Sequence, residues 1–272
     1  MKLAFTTLGC PDWDLETIIN NAAKYGYDGV DFRGYQGEMD IYRLSEFSSN
    51  SQDTYARFKD AGLEVPCFSS SVRFYSEDKK QVNNFCEEIK HYTELCHIFK
   101  ADYIRIFGGK IKEERSRKDA IEMARENLFK LVQPLENTEI KLLVETHDDW
   151  VDSNYLLEVI KEFNRENVGV LWDIHHPYRY ADESPATTWS IFGDRIEYTH
   201  WKDSYLLDKS TSDNQLCLMG EGDLPLKEFY QVLKDNNYNG YLTLEWEKKW
   251  HPEIAEPEVA FPQYVDYMKK LD

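Results

Sequence analysis

Compact apolar runs alternate with longer segments of mixed polarity along the whole chain. Each run is rich in Val, Ile, Leu, Phe or Tyr, as is typical of parallel strands that are covered by helices. Eight runs are therefore predicted to be strands, and these are Lys2–Thr7, Asp28–Arg33, Glu64–Ser69, Asp102–Phe107, Lys141–Glu145, Val168–Asp173, Ile196–His200 and Tyr241–Trp246.

The segments between the runs are predicted to be helices, and several begin at polar residues that are typical N-caps. These caps are Asp14, Ser116 before Arg117–Leu131, and Asp152-Ser153 before Asn154–Phe163. The sixth helix, around Ala186–Phe192, is expected to be short. Eight strand–helix units without a linker fit a closed barrel better than an open doubly wound sheet. The sequence thus predicts the α/β class and a single (β/α)8 TIM barrel as one domain over residues 1–272.

One connection stands apart from the others because it is long and polar. It covers Trp201–Asp223 and follows the seventh predicted strand. Long loops at such positions are candidate lids over a site. A loop that is only flexible is the alternative interpretation.

Composition and charge argue against two classes of binding partner. Hydrophobic residues make up 42% of the 272 residues, enough for a substantial core, and the formal net charge is −18. Such an excess of carboxylates repels polyanions, so neither nucleic acid nor an anionic membrane is an expected partner. No apolar run approaches the roughly 18 residues that a membrane span needs. The five cysteines form no C-x-x-C pair, which indicates reduced thiols and a cytoplasmic protein.

Four consecutive predicted strands end in a carboxylate or an imidazole. These end residues are Glu145, Asp173, His200 and Glu245. Because the active site of such a barrel lies at the carboxyl ends of its strands, these side chains are expected to meet at one ion. The alternative is that they are unrelated ion-pair partners near the rim.

Three carboxylates and one imidazole form a hard, oxygen-rich donor set. One divalent ion is therefore expected, with Mn²⁺ as the first choice and Mg²⁺, Co²⁺ or Zn²⁺ as alternatives. A proton next to a carbonyl is removable when the developing enediolate is stabilised by such a charge. Carboxylates at the same place can remove and return the proton. This chemistry permits epimerisation, isomerisation or dehydration.

Three short motifs carry a resemblance to a known family. Asp173–His176, His200–Asp203 and Glu245–Glu247 look like its D-x-x-H, H-x-K-D and final E-x-E motifs. The chain resembles the xylose isomerase-like TIM-barrel superfamily, which includes ketose 3-epimerases, hydroxypyruvate isomerase, inosose dehydratase and endonuclease IV. The resemblance implies Glu145, Asp173, His200 and Glu245 as metal ligands. It also implies Glu145 and Glu245 as catalytic acid/base groups on opposite substrate faces, and His176 as a contact to a substrate hydroxyl.

Other residues near the strand ends are candidates for binding a small carbohydrate substrate. For each of them a structural role is the alternative: an ion pair for the basic residues, a loop position for the histidine and packing for the tryptophans. These candidates are Arg33, Arg105, Lys202, His147, Trp13 and Trp246.

Two departures from the family limit the choice of substrate. Ketose 3-epimerases carry a glutamate and an arginine where this chain has Val151 and Leu206, so recognition of a free ketose end is not implied. Endonuclease IV needs further histidines where this chain has 68–70 (Phe-Ser-Ser) and 107–109 (Phe-Gly-Gly). The expected function is a metal-dependent sugar isomerase or epimerase, with a dehydratase as the alternative. A non-catalytic sugar-binding protein and a DNA-repair enzyme rank below these. The assembly is open between a homodimer and a tetramer.

Overall fold

Eight parallel strands form the sheet that the sequence predicts, and helices connect them. The computed structural model describes residues 1–208, 211 and 213–271. The barrel strands are β1 (Lys2–Thr6), β2 (Gly29–Asp31), β3 (Cys67–Arg73), β4 (Tyr103–Phe107), β5 (Lys141–Glu145), β6 (Val168–Asp173), β7 (Ile196–Trp201) and β10 (Tyr241–Leu244). Two further strands, β8 (Asp203–Leu206) and β9 (Asn214–Cys217), form an antiparallel hairpin.

The order of the strands shows a barrel with one weak seam. The sheet runs β2-β1-β10-β7-β6-β5-β4-β3, so that β2 and β3 are its two ends. Isolated parallel bridges from Gly29 to Glu64 and from Phe32 to Phe68 join these ends. The barrel is therefore nearly closed, and the predicted (β/α)8 fold is confirmed.

The helices begin where the sequence places caps. Asp14 accepts a hydrogen bond from Thr17 N, Ser116 from Asp119 N, and Asp152 from Asn154 N. The helices are α1 (Leu15–Tyr25), α2 (Ser51–Asp60), α3 (Lys79–Phe99), α4 (Arg117–Leu131), α5 (Ser153–Ile160), α6 (His175–Tyr180), α7 (Pro185–Phe192), α8 (Leu226–Asp235) and α9 (Pro257–Met268). Short 3-10 turns lie at Thr7–Gly9, Ile41–Arg43, Ser45–Phe47, Gln133–Leu135, Asp148–Trp150 and Gly193–Arg195.

Two apolar layers hold the barrel together. The larger one lies between the strands and the helices and contains many buried aromatic rings. A smaller one fills the barrel interior and consists of Ala4, Cys67, Leu143, Leu171, Tyr198 and Tyr241. Because side chains of a strand alternate in direction, one strand contributes to both layers. The interior layer closes the barrel beneath the polar groups at the carboxyl ends of the strands.

Several predicted boundaries are corrected by the structure. The third strand, predicted as Glu64–Ser69, lies at Cys67–Arg73. Within the segment Trp201–Asp223, predicted as one long loop, β7 ends at Trp201 and β8 and β9 form a hairpin. Residues 209, 210 and 212 of this segment lie outside the described residues. Helix α6 begins two residues after β6 and was not predicted. In the described part of the chain, no helix is both long and apolar enough to cross a membrane.

Candidate metal and substrate site

Three of the four predicted ligands converge at the carboxyl ends of their strands. Glu145 ends β5, His200 lies near the end of β7, and Glu245 follows β10 directly. One ligand atom from each lies within 4.8 Å of the other two, and all three side chains are buried. The imidazole Nδ1 of His200 is 2.9 Å from Glu145 Oε1 and 3.4 Å from Glu245 Oε1. Two carboxylates and one ring nitrogen thus face a common point.

The fourth predicted ligand faces a lysine instead. Asp173 ends β6 and is fully buried, but its Oδ2 lies 2.9 Å from the ammonium of Lys202 and 3.3 Å from Nε2 of His176. Burial raises the pKa of Asp173 to about 7, with Glu245 and Glu145 adding to the rise, although Lys202 opposes it. Within the described residues, Asp173 is outside the group of three converging ligand atoms.

The two glutamates are held as carboxylates by adjacent cations. Burial alone would raise the pKa of Glu145, yet Arg105 and His200 outweigh it and lower the pKa to about 2. Nε of Arg105 donates to Glu145 Oε2 at 2.6 Å. The same opposition holds for Glu245, where Lys202 and His200 outweigh burial and keep the pKa well below its usual range. Both groups are therefore ionised, as a metal ligand or a general base must be.

One buried acid of the site, Asp31, was missed in the sequence. It ends β2, and its Oδ2 lies 3.1 Å from Nε2 of His200 while accepting a hydrogen bond from Ser69 Oγ. Burial lowers the pKa of His200, but Glu245, Asp31 and Glu145 raise it well above its usual range. Asp31 precedes Arg33 by two residues, so strand alternation was the signal that could have found it.

Lys202 connects the ligand group to a cavity. Its ammonium donates to Glu245 Oε2 and to Glu247 Oε1, each at 2.6 Å, in addition to its contact with Asp173. The cavity holds about 370 Å³ and lies between the hairpin of β8 and β9 and the segment after β10. Its lining consists of His175, His176, Tyr180, Lys202, Leu207, Asn214, Gln215, Leu216, Glu247, His251 and Glu253. A volume of this order suits a small polar ligand.

The two adjacent histidines after β6 have different surroundings. The ring of His176 contacts that of His147 at a tilt of 39°, with centroids 4.3 Å apart, next to Asp173. The ring of His175 is hydrogen-bonded through Nε2 to Ser204 at 2.9 Å. Burial, followed by the charge of Lys202, lowers the pKa of both rings well below the usual range. His176 is therefore a neutral imidazole beside Asp173 in the lining of the cavity.

Three of the remaining predicted substrate contacts bond to residues near the ligand group. Arg105 bonds Glu145 and the carbonyl of Ser70, and Arg33 donates to Ser71 Oγ at 3.1 Å. His147 contacts Asp148, with Nδ1 3.1 Å from Oδ1. These three residues lie around the ligand group.

The two predicted tryptophans are engaged elsewhere. The indole of Trp13 donates to Glu258 at 3.2 Å and lines a separate cleft. The indole of Trp246 is buried and donates to the carbonyl of Ala255 at 2.8 Å. Trp246 thus packs in the core and anchors the segment after β10. Neither ring lines the cavity at Lys202.

The converging atoms fit a divalent ion. Glu145 and Glu245 supply hard carboxylate oxygens and His200 supplies one nitrogen, a set that suits Mn²⁺, Mg²⁺, Co²⁺ or Zn²⁺. In addition, Nε2 of His200 meets the carboxylate of Asp31, which is the usual arrangement behind a metal-binding imidazole.

Comparison with known proteins identifies the family of the chain. The family model of the xylose isomerase-like TIM barrel matches residues 19–271. The chain belongs to this family. Fructoselysine 3-epimerase of Escherichia coli O157:H7 is 20% identical over 281 residues, which cover 100% of this chain and 98% of that relative. Inosose dehydratase of Clostridium perfringens (strain 13 / Type A) is 23% identical over 279 residues, covering 94% and 90%.

A solved structure shows the same fold. The crystal structure of IolI protein with a binding zinc atom superposes with a TM-score of 0.83 at 19% identity, covering 100% of this chain and 99% of that one. The family member described here is an enzyme, as its epimerase and dehydratase relatives are.

Proposed function

We propose that this enzyme isomerises or epimerises a sugar or sugar derivative with the help of one divalent ion. The observation that carries the proposal is the buried convergence of Glu145, His200 and Glu245 at the carboxyl end of the barrel. A relative named as a 3-epimerase, similar over the full chain, supports the reaction class.

The proposed ion would be held by the three converging residues, with Asp173 as the fourth ligand. Mn²⁺ is our first choice because carboxylates dominate the donor set, and zinc is the alternative that the IolI structure supports. When bound, such an ion supplies positive charge that stabilises negative charge developing on the substrate oxygens.

The proposed proton transfers belong to the two glutamates. One carboxylate takes the proton from the carbon beside the carbonyl. The other delivers to the opposite face a proton that it has first taken from solvent, and the first then releases its own proton to solvent. Arg105 and Lys202 hold Glu145 and Glu245 ionised before the substrate arrives. Substrate hydroxyls that accept hydrogen bonds from Arg105 and Lys202 would weaken the interaction of these cations with the glutamates. The pKa of each glutamate would then rise toward the range that a base needs.

The substrate is proposed to be a small carbohydrate in the cavity of about 370 Å³. His176 and Lys202 line this cavity, and the ring of His147 contacts that of His176. A neutral His176 and a charged Lys202 offer polar hydrogens to hydroxyl and carbonyl oxygens. We further propose a cytoplasmic location, because all five cysteines are free. A homodimer or tetramer remains a prediction.

A dehydratase acting on a keto-polyol is the second candidate. Inosose dehydratase is 23% identical over most of both chains, which favours it. The same glutamates would then remove a proton while a neighbouring hydroxyl leaves, taking a proton from a cavity donor.

One experiment separates the two reactions. The Mn²⁺-loaded protein is incubated with ketoses and keto-polyols in D₂O, and the products are followed by NMR and mass spectrometry. Epimerisation or isomerisation adds deuterium at the reacting carbon and leaves the heavy-atom composition unchanged, whereas dehydration removes one water. A full panel that shows neither change would rule out both candidates.

A further inference from the structure

The cavity beside Lys202 has two unlike sides. Helix α6 and the hairpin of β8 and β9 supply its apolar and aromatic side chains, which are Tyr180, Leu207 and Leu216. The hairpin also contributes the amides of Asn214 and Gln215. The segment after β10 supplies polar side chains instead, which are Glu247, His251 and Glu253. A ligand in the cavity therefore meets an aromatic surface along α6 and polar partners for hydroxyl groups on the segment after β10.

Tyr180 ends α6 and has a fixed orientation in this lining. Its hydroxyl oxygen accepts a hydrogen bond from Nδ2 of Asn214, at the start of β9, over 2.9 Å. Its ring centroid lies 5.5 Å from that of His176 and 5.9 Å from that of His175. Tyr180 is nevertheless 46% exposed. A tyrosine that is held in this way offers a rigid surface, which loses little conformational entropy when a ligand binds.

The ring of Tyr180 lies close to the proposed reaction site. Nε2 of His176, whose ring Tyr180 contacts, is 3.3 Å from Asp173 Oδ2, and Lys202 lines the same cavity. A ligand on the ring of Tyr180 can therefore reach His176 and Lys202 with its hydroxyl groups. Among the described residues of the lining, Tyr180 is the one aromatic residue other than histidine. It occupies the role that the sequence assigned to Trp13 and Trp246.

The charges in the lining favour a neutral ligand. Among its described residues, Lys202 is the one lysine or arginine. Its ammonium already lies within 2.9 Å of Asp173 and 2.6 Å of both Glu245 and Glu247. Glu247 and Glu253 are themselves part of the lining. A phosphate or carboxylate would lose its hydration in this cavity and meet two acids, without gaining an unpaired cation.

A ring-shaped sugar or polyol matches an exposed aromatic side chain. Carbon-bound hydrogens lie together on a face of such a ring, and they carry a slight positive charge. The π face of an aromatic side chain carries partial negative charge and attracts them. An open-chain polyol has no flat face of this kind.

We propose that Tyr180 is a substrate-binding residue whose aromatic face stacks on the substrate, and that the substrate is a neutral ring sugar or ring polyol with its carbonyl on a ring carbon. This inference rests on the proposed function, because it describes the molecule on which the proposed reaction acts. Tyr180 covers the apolar face of the ring, while His176 and Lys202 contact its oxygens.

NMR titration of the Mg²⁺-loaded protein with polyols that lack a carbonyl tests the stacking without catalysis. Mg²⁺ is used because it is diamagnetic. The neutral rings are myo-inositol and methyl α-D-glucoside, and the open chain is D-glucitol, which carries as many hydroxyl groups as myo-inositol. At least one neutral ring is expected to bind about fivefold more tightly than D-glucitol. Its carbon-bound protons should shift upfield, as protons above an aromatic ring do.

Two substitutions separate stacking from a purely structural contact between α6 and the hairpin. Tyr180→Leu keeps an apolar side chain but removes the π face, so the preference for the ring and the upfield shift should both be lost. Tyr180→Phe removes only the hydrogen bond to Asn214, so both should remain. The control is Tyr155→Leu, because Tyr155 is 40% exposed on α5 and lies outside the lining of the cavity.

Several results would overturn the stacking. These are neutral rings that bind no more tightly than D-glucitol or do not bind at all, an unchanged preference in Tyr180→Leu, or an equal loss in Tyr180→Phe, which would indicate the structural contact. Tighter binding of methyl α-D-glucuronide than of methyl α-D-glucoside would overturn the choice of a neutral substrate, since the two differ by one carboxylate.

The proposed reaction can fail separately from this inference. A ring preference that is lost in Tyr180→Leu, without deuterium exchange on any sugar, would support Tyr180 and reject the reaction. Deuterium exchange on sugars, with equal ring preference in wild type and Tyr180→Leu, would reject Tyr180 and support the reaction.

Discussion

The carboxylate of Asp31 lies 3.1 Å from Nε2 of His200, although β1 and β10 separate their strands in the sheet. Ser69 donates to the same carboxylate oxygen at 3.0 Å and fixes its position. With Nε2 engaged, the ring presents Nδ1 to Glu145 and Glu245. Asp31 therefore selects the nitrogen of His200 that would bind an ion, and it holds the ring in place.

Asp31→Asn is expected to weaken Mn²⁺ binding about 10- to 100-fold, because the imidazole loses its charged partner. Calorimetric titration of the purified variant with Mn²⁺ measures the change. Ser69→Ala removes only the support of Asp31 and should have a smaller effect in the same direction. An unchanged dissociation constant in Asp31→Asn would show that His200 needs no such orientation.

Glu145→Gln and Glu245→Gln should each lower kcat about 10²- to 10⁴-fold, since each substitution removes a carboxylate proposed to transfer a proton. Deuterium incorporation into the substrate measures the rate, and circular dichroism checks the fold. Metal content is determined in parallel, because both residues are also proposed ligands. Glu122→Gln serves as the control, as its side chain is 58% exposed on α4. Wild-type rates in both site variants would refute the acid/base roles.

Asp173→Asn tests whether the fourth proposed ligand turns from Lys202 to the ion. If Asp173 binds the ion, Mn²⁺ affinity should fall at least tenfold, because a charged oxygen ligand is replaced by a weaker amide. Equilibrium dialysis with elemental analysis gives the stoichiometry and affinity. Full occupancy at wild-type affinity would show that Asp173 is not a metal ligand and serves as the ion-pair partner of Lys202, 2.9 Å away.

Glu88 predicts a pH dependence of stability. It is buried on α3 and accepts a hydrogen bond from Ser71 N, while burial and the charge of Asp40 raise its pKa from 4.5 to about 7. The folded state therefore binds this proton more tightly than the unfolded state. Its contribution to the free energy of unfolding is complete below pH 4.5, decreases as the pH rises, and is lost above about pH 7.

Glu88→Gln should remove this pH dependence. The wild type is expected to lose up to about 3 kcal/mol relative to the variant between pH 4.5 and pH 8. Urea unfolding of both proteins across this range measures the difference. Parallel curves would mean that the carboxyl group of Glu88 titrates near its ordinary pKa in the folded protein.

The repeating pattern of the chain was enough to predict the barrel and the part of the site at strand ends. Strands β5 and β6 have the predicted bounds, and their last residues are Glu145 and Asp173. These strands are apolar runs that end abruptly in an acid, so both the element and its functional residue are visible in the sequence. A strand end also fixes the position of its side chain, because all parallel strands end at one face.

Other features depend on contacts between distant parts of the chain, which the local sequence pattern does not predict. The hairpin Asp203–Leu206 and Asn214–Cys217 lies in a polar segment, where pairing with a neighbouring strand decides the structure. The contact of Asp173 with Lys202 was not predictable, since Lys202 lies between β7 and β8 and the distance between the two side chains depends on how the barrel folds. Asp31 was visible by alternation, but its role requires His200, 169 residues further along.

We expect the seam between β2 and β3 to open less often when an ion occupies the proposed site. Backbone hydrogen bonds cross it, among them Val30 N to Glu64 O and Ser69 N to Phe32 O, and the side chain of Ser69 adds its hydrogen bond to Asp31. Asp31 ends β2 at this seam and bonds to His200 on β7, so an ion held by His200 would connect the edge strand β2 to β7 through the imidazole. Amide protons along the seam should therefore exchange with solvent more slowly once the cation is bound. Opening of the seam would in turn weaken cation binding, because the two equilibria are linked.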